Sequence, residues 1–128
     1  MTELYKSASR LALGTAQFGM SYGIANHDGQ VTRPTARSML DLAAANGIDT
    51  LDTAIAYGVS EKCLGEVGVQ RFKLVTKLPA VLDGCADVNS WVQEQVAASL
   101  DRHCVSVVYR LLLHRPQQLL GSAGKALY

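Results

Sequence analysis

The segment VSVVYRLLL, residues 105–113, is the most apolar stretch of this 128-residue chain. Its nearly continuous run of apolar side chains is typical of a strand that is covered on both faces, as the strands of a parallel sheet are. Arg110 interrupts the run, and its guanidinium needs a polar outlet. We therefore expect residues 105–113 to form a buried strand of a parallel sheet.

Helix-like and strand-like segments alternate along the rest of the chain. Short apolar runs predict the other strands at about residues 10–15, 48–52 and 72–77. Between the strands, Thr32 is expected to cap one helix, Ser60 a second and Asn89 or Ser90 a third. Residues 117–128 resemble the opening of a further helix. This alternation predicts βαβ units around a parallel sheet, that is, an α/β fold.

Composition indicates one domain and excludes several kinds of partner. Apolar residues make up 48% of the chain and charged residues 18%, which suits a single soluble domain with a real core and no second domain. The net charge is +1 and lysine and arginine do not cluster, so neither nucleic acid nor an anionic membrane surface is expected as a partner.

Targeting signals and metal-ligand patterns are not found in the sequence. No apolar run is long enough to span a membrane, and residues 1–10 lack the apolar core of a signal peptide, so a cytoplasmic location is predicted. Cys63, Cys85 and Cys104 lie far apart, which favours reduced thiols over a disulfide framework. No metal site is predicted.

Chemically capable side chains follow the predicted strands. Thr15 follows the first, Asp52 and Tyr57 the second, Lys77 the third and His114 the fourth. Because the carboxyl ends of parallel strands share one face, these side chains are expected to meet there. Each residue alone has an ordinary structural interpretation, but their joint placement favours a site.

Four segments resemble the aldo-keto reductase superfamily, in the family's order. They are LGTAQFGMSYGIAN (13–26), GIDTLDTAIAYGVSEKCLGE (47–66), LVTKLP (74–79) and LLLHRP (111–116). The most specific is the DTAxxYGxSExxLG pattern of residues 52–65. The sequence looks closest to the bacterial oxidoreductase-like branch, whose first strand ends in LGTAQFG.

This resemblance implies a (β/α)8 barrel that reduces carbonyl compounds with NADPH or, less often, NADH. The family's catalytic tetrad falls on Asp52, Tyr57, Lys77 and His114. Contacts to the nicotinamide end of the cofactor fall on Gly14, Thr15, Ala16 and Asp52. The glycines at 14, 19 and 23 match neither the dinucleotide fingerprint nor a phosphate loop, so no Rossmann-type site is predicted.

Physical chemistry suggests a role for each member of the implied tetrad. Carbonyl reduction requires a hydride at carbon and a proton at oxygen. Tyr57 is the expected proton donor, and an ammonium at Lys77 favours release of the phenolic proton. Asp52 is expected to pair with Lys77, and a neutral His114 to donate a hydrogen bond to the substrate oxygen.

Length limits the implied barrel, because a complete one takes about 200 to 250 residues or more. Residues 1–128 therefore correspond to its N-terminal half, four βα units, without the elements that hold the cofactor's phosphates. The chain is expected to be a shortened enzyme, a half-barrel that self-associates to cover its open sheet edges, or a remodelled four-stranded domain. A non-catalytic half-barrel or interaction module, and a flavodoxin-like domain, remain as alternatives.

Overall fold

A computed structural model of the chain describes residues 9–128. One sheet of four parallel strands runs in the order β1-β2-β3-β4. The strands are β1 (Leu13–Gly14), β2 (Thr50–Asp52), β3 (Lys73–Leu78) and β4 (Arg110–Leu113). The predicted α/β fold with a parallel sheet is confirmed. The flavodoxin-like alternative is wrong, because in that fold the first strand lies between the second and the third.

Helices connect and follow the strands. They are α1 (Arg33–Ala45), α2 (Ser60–Val67), α3 (Val88–His103) and α4 (Gly124–Leu127). Two short 3-10 segments, Ala16–Phe18 and Pro116–Leu120, follow β1 and β4 directly. No helix within residues 9–128 has the length and apolar character that crossing a membrane requires.

The predicted helix caps agree with the structure for α1 only. The Thr32 hydroxyl accepts a hydrogen bond from the Thr35 N–H, as predicted. Ser60 is not a cap, because it is the first residue of α2 and its hydroxyl is buried against β1 and β2. Asp87 caps α3 by accepting from the Ser90 N–H, so the predicted cap at Asn89 or Ser90 is wrong.

Strand β4 is shorter and more exposed than the apolar run 105–113 predicts. The Val105 N–H still bonds to the Leu100 carbonyl at the end of α3. Pairing with β3 starts where the Tyr109 N–H donates to the Leu74 carbonyl, next to the first strand residue, Arg110. Leu111 and Leu112 are 38% and 44% exposed. Within residues 9–128, β4 pairs with β3 alone, so its second edge and much of its apolar surface stay open.

Alternation along the strands separates the core from the site. Leu51 of β2 and Leu74 of β3 are buried in one cluster with Leu40 of α1 and Leu64 of α2. Successive strand residues point to opposite faces of a sheet. Asp52, which follows Leu51, therefore lies on the face that these helices leave open.

A close approach of α2 to α3 depends on Gly65. A Cβ atom at this position would lie 2.0 Å from the Arg102 carbonyl oxygen. The two helices pack along this contact, which brings the last turn of α3 over the first turn of α2. Ser99 and His103 of α3 are buried as a result.

Candidate active site

The Lys77 side chain is the centre of a polar cluster at the carboxyl ends of β2 and β3. Its Nζ donates to the Asp52 carboxylate, lies 2.8 Å from the Thr53 carbonyl oxygen and 3.5 Å from the Tyr57 hydroxyl. A lysine ammonium has three donors, so each has an acceptor in this arrangement. The Lys77 side chain is 16% exposed, whereas that of Asp52 is 47% exposed.

His114 joins this cluster from the end of β4. Its ring stands edge-on to the Tyr57 ring, with 5.8 Å between the ring centroids and an angle of 84° between the planes. The His114 N–H donates to the Leu78 carbonyl at 3.0 Å, which fixes the backbone beyond the end of β3. The structure thus brings together the side chains of Asp52, Tyr57, Lys77 and His114.

Close backbone packing determines the position of Tyr57. Gly58 has a φ of +57°, a conformation that favours glycine, and directs the chain into α2. Gly19 packs against this turn, since a Cβ there would lie 1.8 Å from the Tyr57 carbonyl oxygen. The Tyr57 N–H donates to the Ala54 carbonyl at 3.1 Å, which completes the turn.

An open pocket of about 290 Å³ lies beside the cluster, at the end of β1. Gly14, Thr15, Ala16, Gln17, Tyr22, Asp52 and Tyr57 line it. No atom lies within 4 Å of the position of a Cβ on Gly14, so this wall of the pocket is bare backbone. The Thr15 hydroxyl points away from solvent and donates to the Asp52 carbonyl at 3.0 Å.

A second, larger pocket of about 700 Å³ lies on the other side of His114. Its walls are the loop after β3, which contains Leu82, and the segment after β4, which contains Arg115 and Gln118. Gln118 joins the two walls, because its amide oxygen accepts from the Val81 N–H and its amide nitrogen donates to the Val81 carbonyl, both at 2.9 Å.

The sequence did not indicate the roles of Gln118, Gln17 and Tyr22. None of the three belongs to a recognisable motif, and no local signal could have identified them. Ser60 and Glu61 lie within the DTAxxYGxSExxLG pattern, but a helix start explained both of them at the level of sequence. In the structure they are buried and bonded to the sheet and to α3.

Metal-ligating side chains do not gather around the site. Within residues 9–128, no group of three or more His, Cys, Asp or Glu side chains has the arrangement of a metal site. The cluster itself presents an ammonium, a carboxylate, a phenol and an imidazole. These groups can hold a substrate oxygen and exchange a proton with it.

Comparisons with known proteins agree on one family. The sequence model of the Aldo/keto reductase family matches residues 10–120. No curated protein matches the chain.

Solved structures resemble the chain over part of their length. A candidate aldo-keto reductase from Pseudomonas aeruginosa is 28% identical, with a TM-score of 0.74 over 93% of this chain and 49% of its own. An aldo-keto reductase from Klebsiella pneumoniae, solved in complex with NADPH, is 25% identical, with a TM-score of 0.59 over 84% of this chain and 37% of its own. The chain spans half or less of the length of these structures, and its four parallel strands correspond to part of their barrel.

Proposed function

Because the chain belongs to the aldo/keto reductase family, we propose that its site reduces an aldehyde or ketone with NADPH or NADH. In this proposal the substrate is a small carbonyl compound, and Tyr57 gives its oxygen a proton. The active species is either a single chain, which forms one part of a barrel, or an assembly of several copies of it.

The contact between Lys77 and Tyr57 is the observation that carries this proposal. An ammonium 3.5 Å from the phenol oxygen stabilises the negative charge that remains when the proton leaves. Asp52 and the Thr53 carbonyl hold the ammonium in place from β2. The phenol can therefore serve as an acid toward a carbonyl oxygen that lies beside it.

His114 supports the same reaction from the other side of Tyr57. Its ring is exposed and stands next to the phenol, so a substrate oxygen near Tyr57 is within reach of an imidazole N–H. In the proposal this N–H donates to the carbonyl oxygen and orients it. Two donors that converge on one oxygen stabilise the charge that develops there.

The pocket beside Gly14 suits the nicotinamide end of the cofactor. A bound NADPH or NADH supplies the hydride that reduces the carbonyl carbon. Gly14, Thr15, Ala16 and Asp52 line the pocket, and the bare backbone at Gly14 allows a flat ring to approach closely. We assign the cofactor contacts to these four residues, with the Thr15 hydroxyl committed to Asp52 rather than to the ring.

Turnover by the purified chain tests the proposal. We expect oxidation of NADPH that depends on an added aldehyde, and Tyr57→Phe should slow it by about 100-fold or more. Tyr109→Phe is the matched control, since Tyr109 is an exposed tyrosine outside the site, and its rate should stay unchanged. The proposal would be contradicted if an added aldehyde caused no oxidation of NADPH, or if Tyr57→Phe kept full activity.

The open edges of the sheet favour a second role, as a non-catalytic half-barrel or interaction module. Within residues 9–128, β1 and β4 each pair on one side only, and β4 exposes Leu111 and Leu112. In a dimer with a two-fold axis, β1 of each copy pairs with β4 of the other copy. Both open edges of each sheet are then covered. Self-association without turnover would favour this role over the enzyme.

Sedimentation over a range of concentrations tests the self-association. The dimer should dissociate when Leu112→Lys places a charge on the exposed strand. Lys125→Ala, an exposed change in α4, is the control that should leave the dimer intact. A monomer at every concentration would exclude this assembly.

A further inference from the structure

Ser60 and Glu61, the first two residues of α2, connect the helix to the strand ends that carry Asp52 and Lys77. We propose that both are positioning residues, which hold the Lys77 ammonium between Asp52 and Tyr57 by fixing the residues next to it. The proposal rests on the proposed function for its catalytic meaning. Its structural content depends only on contacts within this chain.

Ser60 acts on Lys77 through Thr53. The Ser60 hydroxyl is buried and lies 3.1 Å from the hydroxyl of Thr53, which is buried as well. The Thr53 carbonyl accepts a hydrogen bond from the Lys77 ammonium at 2.8 Å. A bond between the two hydroxyls therefore restrains the residue whose backbone holds the ammonium.

Ser60 also acts on Asp52, through Thr15. The Ser60 hydroxyl donates to the Thr15 carbonyl at 2.8 Å. Thr15 in turn donates to the Asp52 carbonyl with both its N–H and its hydroxyl, each at 3.0 Å. The end of β1 and the end of β2 are thus joined beneath the carboxylate that pairs with Lys77.

Glu61 restrains Lys77 from β3. Its carboxylate is 2% exposed and accepts from the hydroxyl of Thr76 at 2.8 Å. Thr76 directly precedes Lys77 in the strand. The same carboxylate accepts from Ser99 at 2.6 Å and from Arg102 at 2.8 Å, so it is fixed to α3 while it holds β3.

Packing alone does not explain why a glutamate occupies this position, because burial of its carboxylate is unfavourable in free energy. Burying a charge is unfavourable unless hydrogen bonds and an opposite charge compensate it, and an apolar side chain would fill the space without that cost. The Arg102 guanidinium compensates the charge of Glu61, and one of the hydrogen bonds to its carboxylate comes from Thr76, the neighbour of Lys77. Adjacent residues of one helix thereby fix β2 and β3, the two strands that the Lys77–Asp52 pair joins.

The test measures the Lys77 ammonium itself. In ¹⁵N NMR of the labelled chain, its hydrogens should exchange slowly with water, and the signal is identified by its loss in Lys77→Met. Ser60→Ala and Glu61→Gln should each speed the exchange by about fivefold, the factor that corresponds to the net contribution of one hydrogen bond. An ammonium that exchanges at the wild-type rate in both variants would overturn the proposal.

Two further variants separate positioning from general stability. Leu64→Ala removes a buried side chain of the same helix that belongs to the apolar cluster with Leu40, Leu51 and Leu74, so it should lower the melting temperature without speeding the exchange. If Ser60→Ala does not fold, Thr53→Val removes the hydroxyl that meets Ser60 and keeps the shape of the side chain. Equal acceleration in Leu64→Ala would overturn the positioning role.

The measurement needs neither cofactor nor substrate. Faster exchange in Ser60→Ala and Glu61→Gln supports the positioning role whether or not the chain reduces carbonyl compounds. Absent turnover contradicts the proposed function alone, so the two failures are distinguishable.

Discussion

The ammonium of Lys77 lies 3.5 Å from the hydroxyl of Tyr57. The two residues come from different parts of the sheet, since Lys77 belongs to β3 and Tyr57 to the loop after β2. Asp52 and the Thr53 carbonyl take the other donors of the ammonium. In the proposed reaction, this fixed positive charge stabilises the negative charge that is left on the Tyr57 oxygen when the proton is transferred.

Lys77→Met should reduce the rate of carbonyl reduction. The change keeps an unbranched side chain and removes the charge beside Tyr57, so we expect kcat/KM to fall by about 100-fold or more. Steady-state kinetics with an aldehyde and NADPH measure it. Lys62→Met, on the exposed side of α2, is the control and should have the wild-type rate. Equal rates in the two variants would mean that the ammonium does not assist Tyr57.

Gly19→Ala should destabilise the chain and displace Tyr57. The added Cβ would meet the Tyr57 carbonyl oxygen at 1.8 Å, and neither backbone segment can move aside freely. We expect a loss of about 1 to 3 kcal/mol in the free energy of unfolding, measured by urea denaturation. At Gly121 a Cβ would meet its nearest neighbour at 3.6 Å, so Gly121→Ala should be nearly neutral. Similar stability of the two variants would contradict the close approach.

Glu61→Ala should cost far more stability than Glu66→Ala, although both residues belong to α2. Glu61 is buried and its loss leaves Arg102, Thr76 and Ser99 without their shared acceptor, so we expect about 3 kcal/mol. Glu66 pairs with Arg33 near the surface, where its side chain is 46% exposed, and its loss should be hard to detect. Thermal and urea unfolding of the pair check this difference. A small effect at Glu61 would mean that water replaces the carboxylate without loss.

Stability should fall as the pH is lowered from neutral toward 5, because of His103. Burial lowers the pKa of His103 below its ordinary value of 6.5, and the nearby charge of Arg102 lowers it further. Together these effects outweigh the negative charge of Glu61, which raises the pKa. As the pH falls through 6.5, the unfolded chain binds a proton that the folded chain does not, so folding becomes less favourable. Unfolding free energies measured between pH 7 and 5 check the slope.

His103→Gln separates this effect from other titrations. The variant lacks the buried imidazole, so its stability should depend less on pH over the same interval. His27→Gln, at an exposed position, should keep the wild-type slope. The acidic groups whose pKa is lowered, such as Asp49 and Asp87, lose their contribution only at lower pH, near and below their ordinary value of 3.8. An unchanged slope in His103→Gln would assign the effect to another group.

Local patterns predicted most of the fold. Short-range preferences predicted the parallel strands, the cap of α1 at Thr32 and the end of α1 at the Asn46-Gly47 pair. Caps, turns and apolar periodicity are properties of neighbouring residues, so a sequence shows them directly. The strand predicted from the apolar run 105–113 was wrong in its first part, because residues 105–109 form the connection from α3 to β4. Apolar character alone does not say where backbone pairing begins.

The sequence by itself determined the order of strands and helices and the residues at the strand ends. Since parallel strands end at one edge, it also predicted that Asp52, Tyr57, Lys77 and His114 would meet. Only the tertiary structure decided which groups hold them there. Ser60 and Glu61 read as ordinary residues of a helix start, and their bonds to Thr53 and Thr76 exist because α2 packs against the sheet. Which buried donor meets which acceptor depends on that packing, and no short stretch of sequence encodes it.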